Sequence, residues 1–288
     1  MQSTGWRTLR GVDLRALSEA RINAHYALQW LARAARAYLP HEPDDSHTNL
    51  GWSDDLRGLE THRLQDGSRV GLNIAEFALV FMGAGERVRR VACPVQGRTE
   101  AQLRQWMREQ ITAKGLNPDK LDAGSPYPMP AHPVGSGADY GAGVPREAFD
   151  ELADWFANAD AALQGACKQI AAMELPAPAP RCWPHHFDLA TLTSFPADGQ
   201  SAFVGAGFSP GDHYYDEPYF YVSLYPAPDK AQLPQLVTLG HWHTLEFTAA
   251  IATAGTINAV RDPQAAVDEF LKEAIDTAVA ILKVRSDQ

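Results

Sequence analysis

Cysteine is scarce in this 288-residue chain, which contains three, at widely separated positions (Cys93, Cys167 and Cys182). An odd and dispersed set forms no disulfide framework, and it includes no CxxC pair of the kind that binds zinc or carries out redox chemistry. This usage is typical of a protein that folds in a reducing compartment. We therefore expect a cytoplasmic protein.

Long apolar runs and dense positive charge are also missing. No apolar run approaches the about 18 residues that a membrane-spanning helix requires, and the polar N-terminus has no apolar signal core. The net charge is −10, and the densest basic cluster is Arg87-Val88-Arg89-Arg90. Because phosphate-rich partners are bound by positive surfaces, we expect neither nucleic acid nor a membrane as a partner.

Several nucleotide-binding and catalytic signatures are absent as well. The chain has no GxGxxG, no GxxxxGK[ST] and no HExxH. Dinucleotide binding, P-loop chemistry and the common zinc-protease helix are therefore not expected.

Helical periodicity is strong in four segments. Thr99 and Gln102 form a capping box before one of them. Asp262 and Pro263 have the residue types expected at the cap and first position of another. The predicted helices cover residues 13–39, 99–114, 146–173 and 263–284.

Shorter alternating segments, separated by glycine turns, predict strands in both halves of the chain. They cover residues 47–52, 58–64, 69–81 and 87–92 in the first half, and lie between 183 and 251 in the second. The connection over 115–145 is rich in glycine and proline, and its aromatic content favours a loop that packs on the protein. His132 and Tyr140 are candidate lid residues within it.

Both halves follow one order, which indicates an internal pseudo-repeat: a long helix, a proline-containing corner, several strands and a short capped helix. The predicted fold class is α+β, with two similar halves, each an antiparallel sheet with long and short flanking helices. The expected domains are an N-terminal half (1–114), a connecting loop (115–145) and a C-terminal half (146–288). A cleft between such halves is a usual place for a ligand.

The richest stretch, 181–247, holds five of the ten histidines. If residues 182–188 form a strand, His186 and Asp188 share one face, because side chains alternate with period two. An aspartate beside a histidine can orient it as a general base or as a metal ligand. The alternative is a buried structural pair.

A tyrosine-bearing strand follows at Tyr219–Tyr225, after a turn at Ser209-Pro210-Gly211-Asp212. Its alternation places Phe220, Val222 and Leu224 on one face and the tyrosines on the other. Such tyrosines suit the wall of a small-molecule pocket. The alternative is an outer sheet face through which the protein assembles with itself or with a partner.

The segment His241-Trp242-His243 predicts two imidazoles on one strand face. They could hold a transition metal if His186 or Asp188 supplied a third ligand. Glu246 lies an odd number of positions from both histidines, so in a regular strand it points the other way, and only a bulge would bring it alongside.

Further candidates lie in the first half. His25 and Gln29 are i, i+4 neighbours on the first helix and could face a ligand. His47 could meet Asp188 or His241 in a cleft between the halves. The candidate catalytic residues are His47, Asp188, His241 and Glu246; the candidate ligand-binding residues are His25, Gln29, His186, Asp212, Tyr219 and Tyr221; the candidate metal ligands are His241, His243 and His186.

Taken together, these segments resemble an uncharacterised bacterial family that is known only as a domain of unknown function. The resemblance implies the outline of the fold and brings no established activity. His186 and His243 depart from the family pattern, which shifts weight from a two-histidine metal site to His25, His47, Asp188, His241 and Glu246. The segments that carry the resemblance are Phe187–Ala190, Gly207–Gly211, Pro218–Tyr221, Tyr225-Pro226, His241 and Glu246-Phe247, with His25, Gln29, His47 and Gly58-Leu59 in the first half.

Three functions fit the sequence. The first is small-molecule binding or acid/base chemistry by histidine and carboxylate groups between the halves. The second is a metal-dependent enzyme that uses His241 and His243. The third is a non-catalytic module that self-assembles or binds a partner. Shifted histidine pKa values would favour the first function, co-purified metal the second, and an exposed tyrosine face the third.

Overall fold

The chain has an α+β fold with two antiparallel sheets and flanking helices. The computed structural model describes residues 5–84, 90–197 and 200–286. They form two compact units. The N-terminal unit is described over residues 8–84, 90–157 and 182–187; the C-terminal unit is described over residues 5–7, 158–181, 188–197 and 200–286. The expected domain boundaries stay a prediction.

The helices of the N-terminal unit begin where their caps predict. Helix α1 spans Leu14–Tyr38, and the Asp13 side chain accepts hydrogen bonds from the amides of its first turn. Helix α2 spans Glu100–Thr112 and has the predicted capping box of Thr99 and Gln102. Both predicted helices are confirmed.

The N-terminal sheet is a five-stranded antiparallel meander in the order β1-β2-β3-β4-β5. The predicted strand over 69–81 is two strands, because the chain turns between them and Phe77 has a positive φ of 46°. The start of the predicted strand 47–52 is wrong, since residues 46–48 form a 3₁₀ turn. Residues 87–89 lie outside the described residues. The strands are β1 Gly51–Ser53, β2 Gly58–Glu60, β3 Arg69–Asn73, β4 Ala78–Met82 and β5 Arg90–Pro94.

The long connection after α2 packs on the N-terminal unit. Its 3₁₀ turns are Pro118–Asp122 and Pro133–Ser136. Tyr140 is fully buried, and its hydroxyl donates to Glu100 at 2.8 Å. Helix α3 then spans Arg146–Ala172, close to the predicted 146–173. Its first part belongs to the N-terminal unit and the rest to the C-terminal unit.

The second sheet has six strands in the order β10-β11-β9-β8-β7-β6. Helix α5 packs against it. The helix begins at Pro263, as predicted, and Asp262 caps it by accepting from the amide of Ala265 at 3.1 Å. The elements are β6 Arg181–Trp183, β7 Asp188–Ala197, β8 Gln200–Ser209, β9 Tyr219–Tyr225, β10 His241–His243, β11 Ala249–Thr253, α4 Ala254–Asn258 and α5 Pro263–Ser286.

One predicted strand is wrong where it matters for the histidines. Residues 184–187 form a turn, in which the amides of His186 and Phe187 donate to the carbonyl of Trp183 at 3.2 and 2.8 Å. Phe187 has a φ of 60°, which ends the turn. Because a turn has no period-two alternation, the expectation that His186 and Asp188 share a strand face does not hold.

Within the described residues, no helix is both long and apolar enough to cross a membrane.

Candidate functional site

The polar face of β9 is the framework of the site in the C-terminal unit. Phe220, Val222 and Leu224 are at most 5% exposed, and the tyrosines alternate with them, as predicted. In the sheet register, Tyr221 lies opposite Ile251, which in turn lies opposite His241 on β10. One face of the sheet therefore carries both Tyr221 and the His-x-His pair.

Gly207 lets Tyr221 reach across the neighbouring strand. The two residues are register partners, and a Cβ at position 207 would lie 2.3 Å from Cζ of Tyr221. The ring therefore passes over the bare backbone of β8, and its hydroxyl donates to Oδ2 of Asp188 on β7 at 2.5 Å. Burial, with the Asp188 carboxylate, holds the pKa of Tyr221 well above its usual value, so the phenol stays protonated and donating.

Asp212 organises the predicted turn after β8. Its Oδ1 accepts from the amides of Tyr214 and Tyr215 at 2.8 and 3.1 Å. Its Oδ2 accepts from the hydroxyl of Tyr219. Burial and this bond raise the pKa of Tyr219. One carboxylate thus fixes three tyrosines, and Gly211, with a φ of 109°, supplies the left-handed backbone that the turn needs.

Tyr215 bridges the two histidines of β10. Its hydroxyl lies 3.0 Å from Nε2 of His241 and 3.0 Å from Nδ1 of His243. Nε2 of His243 lies 2.7 Å from the carbonyl oxygen of Leu245, which only accepts, so this nitrogen carries the proton. In neutral His243, Nδ1 then accepts from Tyr215, whose oxygen accepts in turn from Nε2–H of His241. The result is a directed relay from His241 through Tyr215 to His243.

Glu246 joins the group by a turn and not by a bulge. Strand β10 ends at His243, and the chain bends before β11, with Glu246 at a φ of 65°. Glu246 therefore lies in a turn, and neither the regular strand nor the bulge considered from the sequence describes its position. The hydroxyl of Tyr214 donates to Oε2 of Glu246 at 2.5 Å, and this bond raises the pKa of Tyr214. The Phe247 ring stacks on His243 at a centroid distance of 4.4 Å.

The comparison with known families concerns this unit. Residues 185–287 match the model of a family of unknown function, DUF5996. The predicted resemblance to an uncharacterised family is thereby confirmed for this segment, while a bacterial origin stays a prediction. No curated protein and no solved structure matches the chain. The DUF5996 segment contains all the tyrosines and histidines just described. We call this group the tyrosine–histidine face; its members are Tyr214, Tyr215, Tyr219, Tyr221, His241 and His243.

A serine within the DUF5996 segment has catalytic spacing without the matching structure. Gly207–Gly211 reads G-F-S-P-G, which has the G-x-S-x-G spacing of a nucleophile elbow. An elbow requires a strand followed by a helix. Here Ser209 ends β8, is 3% exposed, and its Oγ accepts from the amide of Gly211 at 3.2 Å. It serves the turn.

His25 and Gln29 lie in the N-terminal unit, before the DUF5996 segment begins. Nε2 of His25 donates to the carbonyl of Pro184 at 2.8 Å, and Nε2 of Gln29 donates to the same oxygen at 2.9 Å. The Gln29 amide oxygen accepts from Tyr127 at 2.8 Å. Burial lowers the pKa of His25 to about 4. Both predicted ligand-binding side chains thus hold the 184–187 turn.

His47 belongs to a histidine–carboxylate cluster that the sequence did not suggest. One donor atom each from His41, Asp45 and His47 lie within 4.8 Å of one another. His47 is buried, and its ring meets that of His41 at a centroid distance of 5.1 Å. The H-x₃-D-x-H spacing was visible, but it matches no regular helix or strand pattern, so only the folded turn reveals the cluster.

His186 is exposed and packs on its neighbour. The rings of His185 and His186 lie 4.0 Å apart. Desolvation lowers the pKa of His185 to about 4, helped by His186 and opposed by the Asp45 carboxylate. Asp45 can act on His185 because the segments that follow and precede them, respectively, are joined by an antiparallel bridge between Leu50 and Cys182.

A cavity of about 280 Å³ lies in the N-terminal unit and is lined by Arg33, Arg36, Ala37, Lys120 and Ala123. Arg33 is paired with Glu100 at 2.9 Å. Its Nε is nevertheless buried with no hydrogen-bond partner among the described residues. Three cationic side chains around one cavity suit an anion.

The structure thus divides the candidate residues between two groups. The C-terminal unit brings together Asp188, Asp212, Tyr219, Tyr221, His241, His243 and Glu246, whereas His25, Gln29, His47 and His186 lie in the N-terminal unit. The hypotheses that join residues of both units stay predictions. They are an encounter of His47 with Asp188 or His241, and a metal shared by His241, His243 and His186.

Proposed function

We propose that the tyrosine–histidine face of the DUF5996 segment binds a small polar molecule and moves a proton on it, with His241 as the base. The observation that carries this proposal is the single Tyr215 hydroxyl between Nε2 of His241 and Nδ1 of His243. A histidine whose far nitrogen is held by a relay has a defined tautomer, which general-base catalysis requires.

The hydrogen-bonded relay provides a path for the proton that the ligand loses. In the neutral state Nε2–H of His241 donates to Tyr215, so Nδ1 of His241 holds a free lone pair and accepts a proton from the ligand. The Nε2 proton then passes to the Tyr215 oxygen as the Tyr215 proton passes to Nδ1 of His243. Charge ends on His243, beside the Leu245 carbonyl. Partial burial and His243 lower the pKa of His241, which keeps it unprotonated at neutral pH.

The charges of this face favour a neutral or cationic ligand. Three carboxylates accept hydrogen bonds from tyrosines of this face: Asp188 from Tyr221, Asp212 from Tyr219, and Glu246 from Tyr214. An anion would be repelled by these groups. The partly exposed rings of Tyr214 and Phe247, 5.1 Å apart, offer an apolar wall beside the base.

The exposure of the tyrosines does not favour self-assembly, the third function that fits the sequence. Self-assembly through the tyrosine face requires exposed tyrosines, yet Tyr219 is 4% exposed and Tyr221 is bound to Asp188. Of the three tyrosines proposed for that surface, Tyr225 is the exposed one, at 62%. This favours ligand binding over assembly.

The test is ligand stabilisation and proton exchange on the full chain. Thermal unfolding is recorded with a panel of polyols, amino alcohols, neutral α-hydroxy ketones and small carboxylates. We expect neutral or cationic compounds to stabilise the protein, and Tyr215→Phe and His241→Ala to abolish this. His132→Ala, outside the DUF5996 segment, is the control.

Bound ketones should exchange their α-hydrogens in D₂O, as seen by NMR, only with His241 present. Stabilisation unaffected by both variants, or by carboxylates alone, contradicts the proposal.

A second candidate function rests on the cationic cavity. Arg33, Arg36 and Lys120 around about 280 Å³ fit a small phosphate or carboxylate compound. Inorganic phosphate and citrate are the probes. We expect Arg36→Ala to abolish their thermal stabilisation while Lys168→Ala, an exposed charge in the C-terminal unit, retains it. If phosphate and citrate stabilised the two variants equally, the stabilisation would come from general screening of charge and not from binding in the cavity.

A further inference from the structure

We propose that His41, Asp45 and His47 form a binding site for a divalent first-row transition metal, with Zn²⁺ as the reference ion. This site lies in the N-terminal unit and is independent of the proposed function of the DUF5996 segment.

The donor set has the right chemistry and nearly the right separation. Two imidazoles and one carboxylate are ligands that Zn²⁺ and its neighbours in the first row accept. The three donor atoms lie within 4.8 Å of one another, and this is the one such group of three found in the described part of the chain. Ligands about 2.0–2.1 Å from a tetrahedral ion are roughly 3.3 Å apart, so each pair must close by about 1.5 Å or less.

The backbone that presents these donors is already fixed. Pro40 and Pro43 flank the first histidine. The amide of Asp45 donates to the carbonyl of Glu42 at 3.0 Å, and the carbonyl of Asp45 accepts from the amide and hydroxyl of Thr48 at 2.9 and 2.8 Å. Asp45 itself has a φ of 59°. A turn held in this way loses little conformational entropy when an ion binds.

The three donors differ in their exposure: His47 is held in place by burial, whereas the side chains of His41 and Asp45 have room to rotate toward it. His47 is 6% exposed, whereas His41 and Asp45 are exposed. Among the described residues, no hydrogen bond or ion pair engages the carboxylate of Asp45. Exposed side chains can rotate toward a buried anchor at small energetic cost, and three protein ligands leave a fourth position for water or for a substrate.

Metal binding should be visible at one particular amide. Nδ1 of His47 accepts from the amide of Glu42 at 3.2 Å, a long bond. An ion at Nδ1 takes that lone pair, and an ion at Nε2 moves the ring proton to Nδ1. Either mode ends the contact, so the Glu42 amide resonance reports on the ion without any assay of activity.

The experiment is a Zn²⁺ titration of the untagged, chelator-treated full chain by calorimetry, with Ni²⁺ and Mn²⁺ in parallel. We expect one Zn²⁺ per chain, binding of Mn²⁺ weaker than that of Ni²⁺, and a shift of the Glu42 amide in ¹H–¹⁵N spectra. Asp45→Asn and His41→Ala should each weaken Zn²⁺ binding at least about tenfold, since even supporting residues of metal sites contribute that much. Both positions are exposed, and asparagine tolerates the left-handed backbone of residue 45, so the fold is retained.

His132→Ala and His241→Ala serve as controls and should bind as the unmodified chain does. The inference is overturned if none of the three ions binds, if the Glu42 amide does not move, or if Zn²⁺ binding survives Asp45→Asn and His41→Ala. Loss of binding in His241→Ala alone would overturn it too and would place the ion on the tyrosine–histidine face.

Discussion

At the residue scale, the side chains of the tyrosine–histidine face act through pairs. Each tyrosine donates to a carboxylate or bridges histidines, so its hydroxyl is both fixed in direction and kept protonated. Tyr221 with Asp188 and Tyr219 with Asp212 are the partly buried examples. Pairs of this kind confer rigidity on a site, because a buried donor that lost its acceptor would be left unsatisfied.

The coupling between the two histidines of β10 predicts a measurable pKa change. His243 contributes to the lowered pKa of His241, after burial. We therefore expect His243→Ala to raise the pKa of His241 toward the ordinary histidine value, because a like charge is removed and the ring gains solvent. The titration is followed by NMR at the Cε1–H of His241. The control is His213→Ala, an exposed neighbour, and an unchanged or lower pKa in His243→Ala would contradict the coupling.

At the element scale, the site depends on the missing side chain of Gly207 in β8. We expect Gly207→Ala to destabilise the protein by about 1–3 kcal/mol, the range for overpacking a buried position. The reason is that the new methyl group would overlap the Tyr221 ring, 2.3 Å from its Cζ. Urea unfolding provides the measurement.

Two comparisons test whether that clash is the cause. Gly165→Ala in α3 meets nothing within 4 Å, and we expect it to be neutral or stabilising, since alanine favours a helix over glycine. The double variant Gly207→Ala/Tyr221→Ala should lose less stability than the sum of its single changes. Strict additivity would mean that Tyr221 is not what Gly207 accommodates.

At the scale of the whole molecule, stability should fall as the solution becomes acidic. The folded pKa of His25 is about 4 against 6.5 unfolded, so between these values the unfolded chain binds the extra proton. Its contribution is therefore complete above pH 6.5 and declines as the pH falls toward 4. From pH 7 to pH 5 this single group accounts for about 2 kcal/mol of unfolding free energy.

The corresponding variant is His25→Gln, whose amide can still donate to Pro184 but does not titrate. Urea unfolding at pH 7 and pH 5 should show a smaller loss of stability on acidification than in the unmodified chain, by about 2 kcal/mol. His213→Gln is the matched exposed control and should keep the original pH dependence. An unaltered dependence in His25→Gln would show that another group carries the effect.

The sequence by itself determined the long elements and their faces. The periodicity and caps of α1, α2, α3 and α5 are local properties, because helix bonds and caps join residues four or fewer apart. The alternation of β9 is local in the same sense. These signals were sufficient for the α+β class with two antiparallel sheets and for the tyrosine face.

Only the tertiary structure decided which polar groups meet. Tyr221 reaches Asp188 because β7, β8 and β9 are neighbours with Gly207 between, and Glu246 reaches Tyr214 because the chain turns after His243. His41, Asp45 and His47 converge because a proline-flanked turn folds them together. Strand register and turn geometry depend on pairings between distant residues, and the spacing of residues along one chain does not encode them.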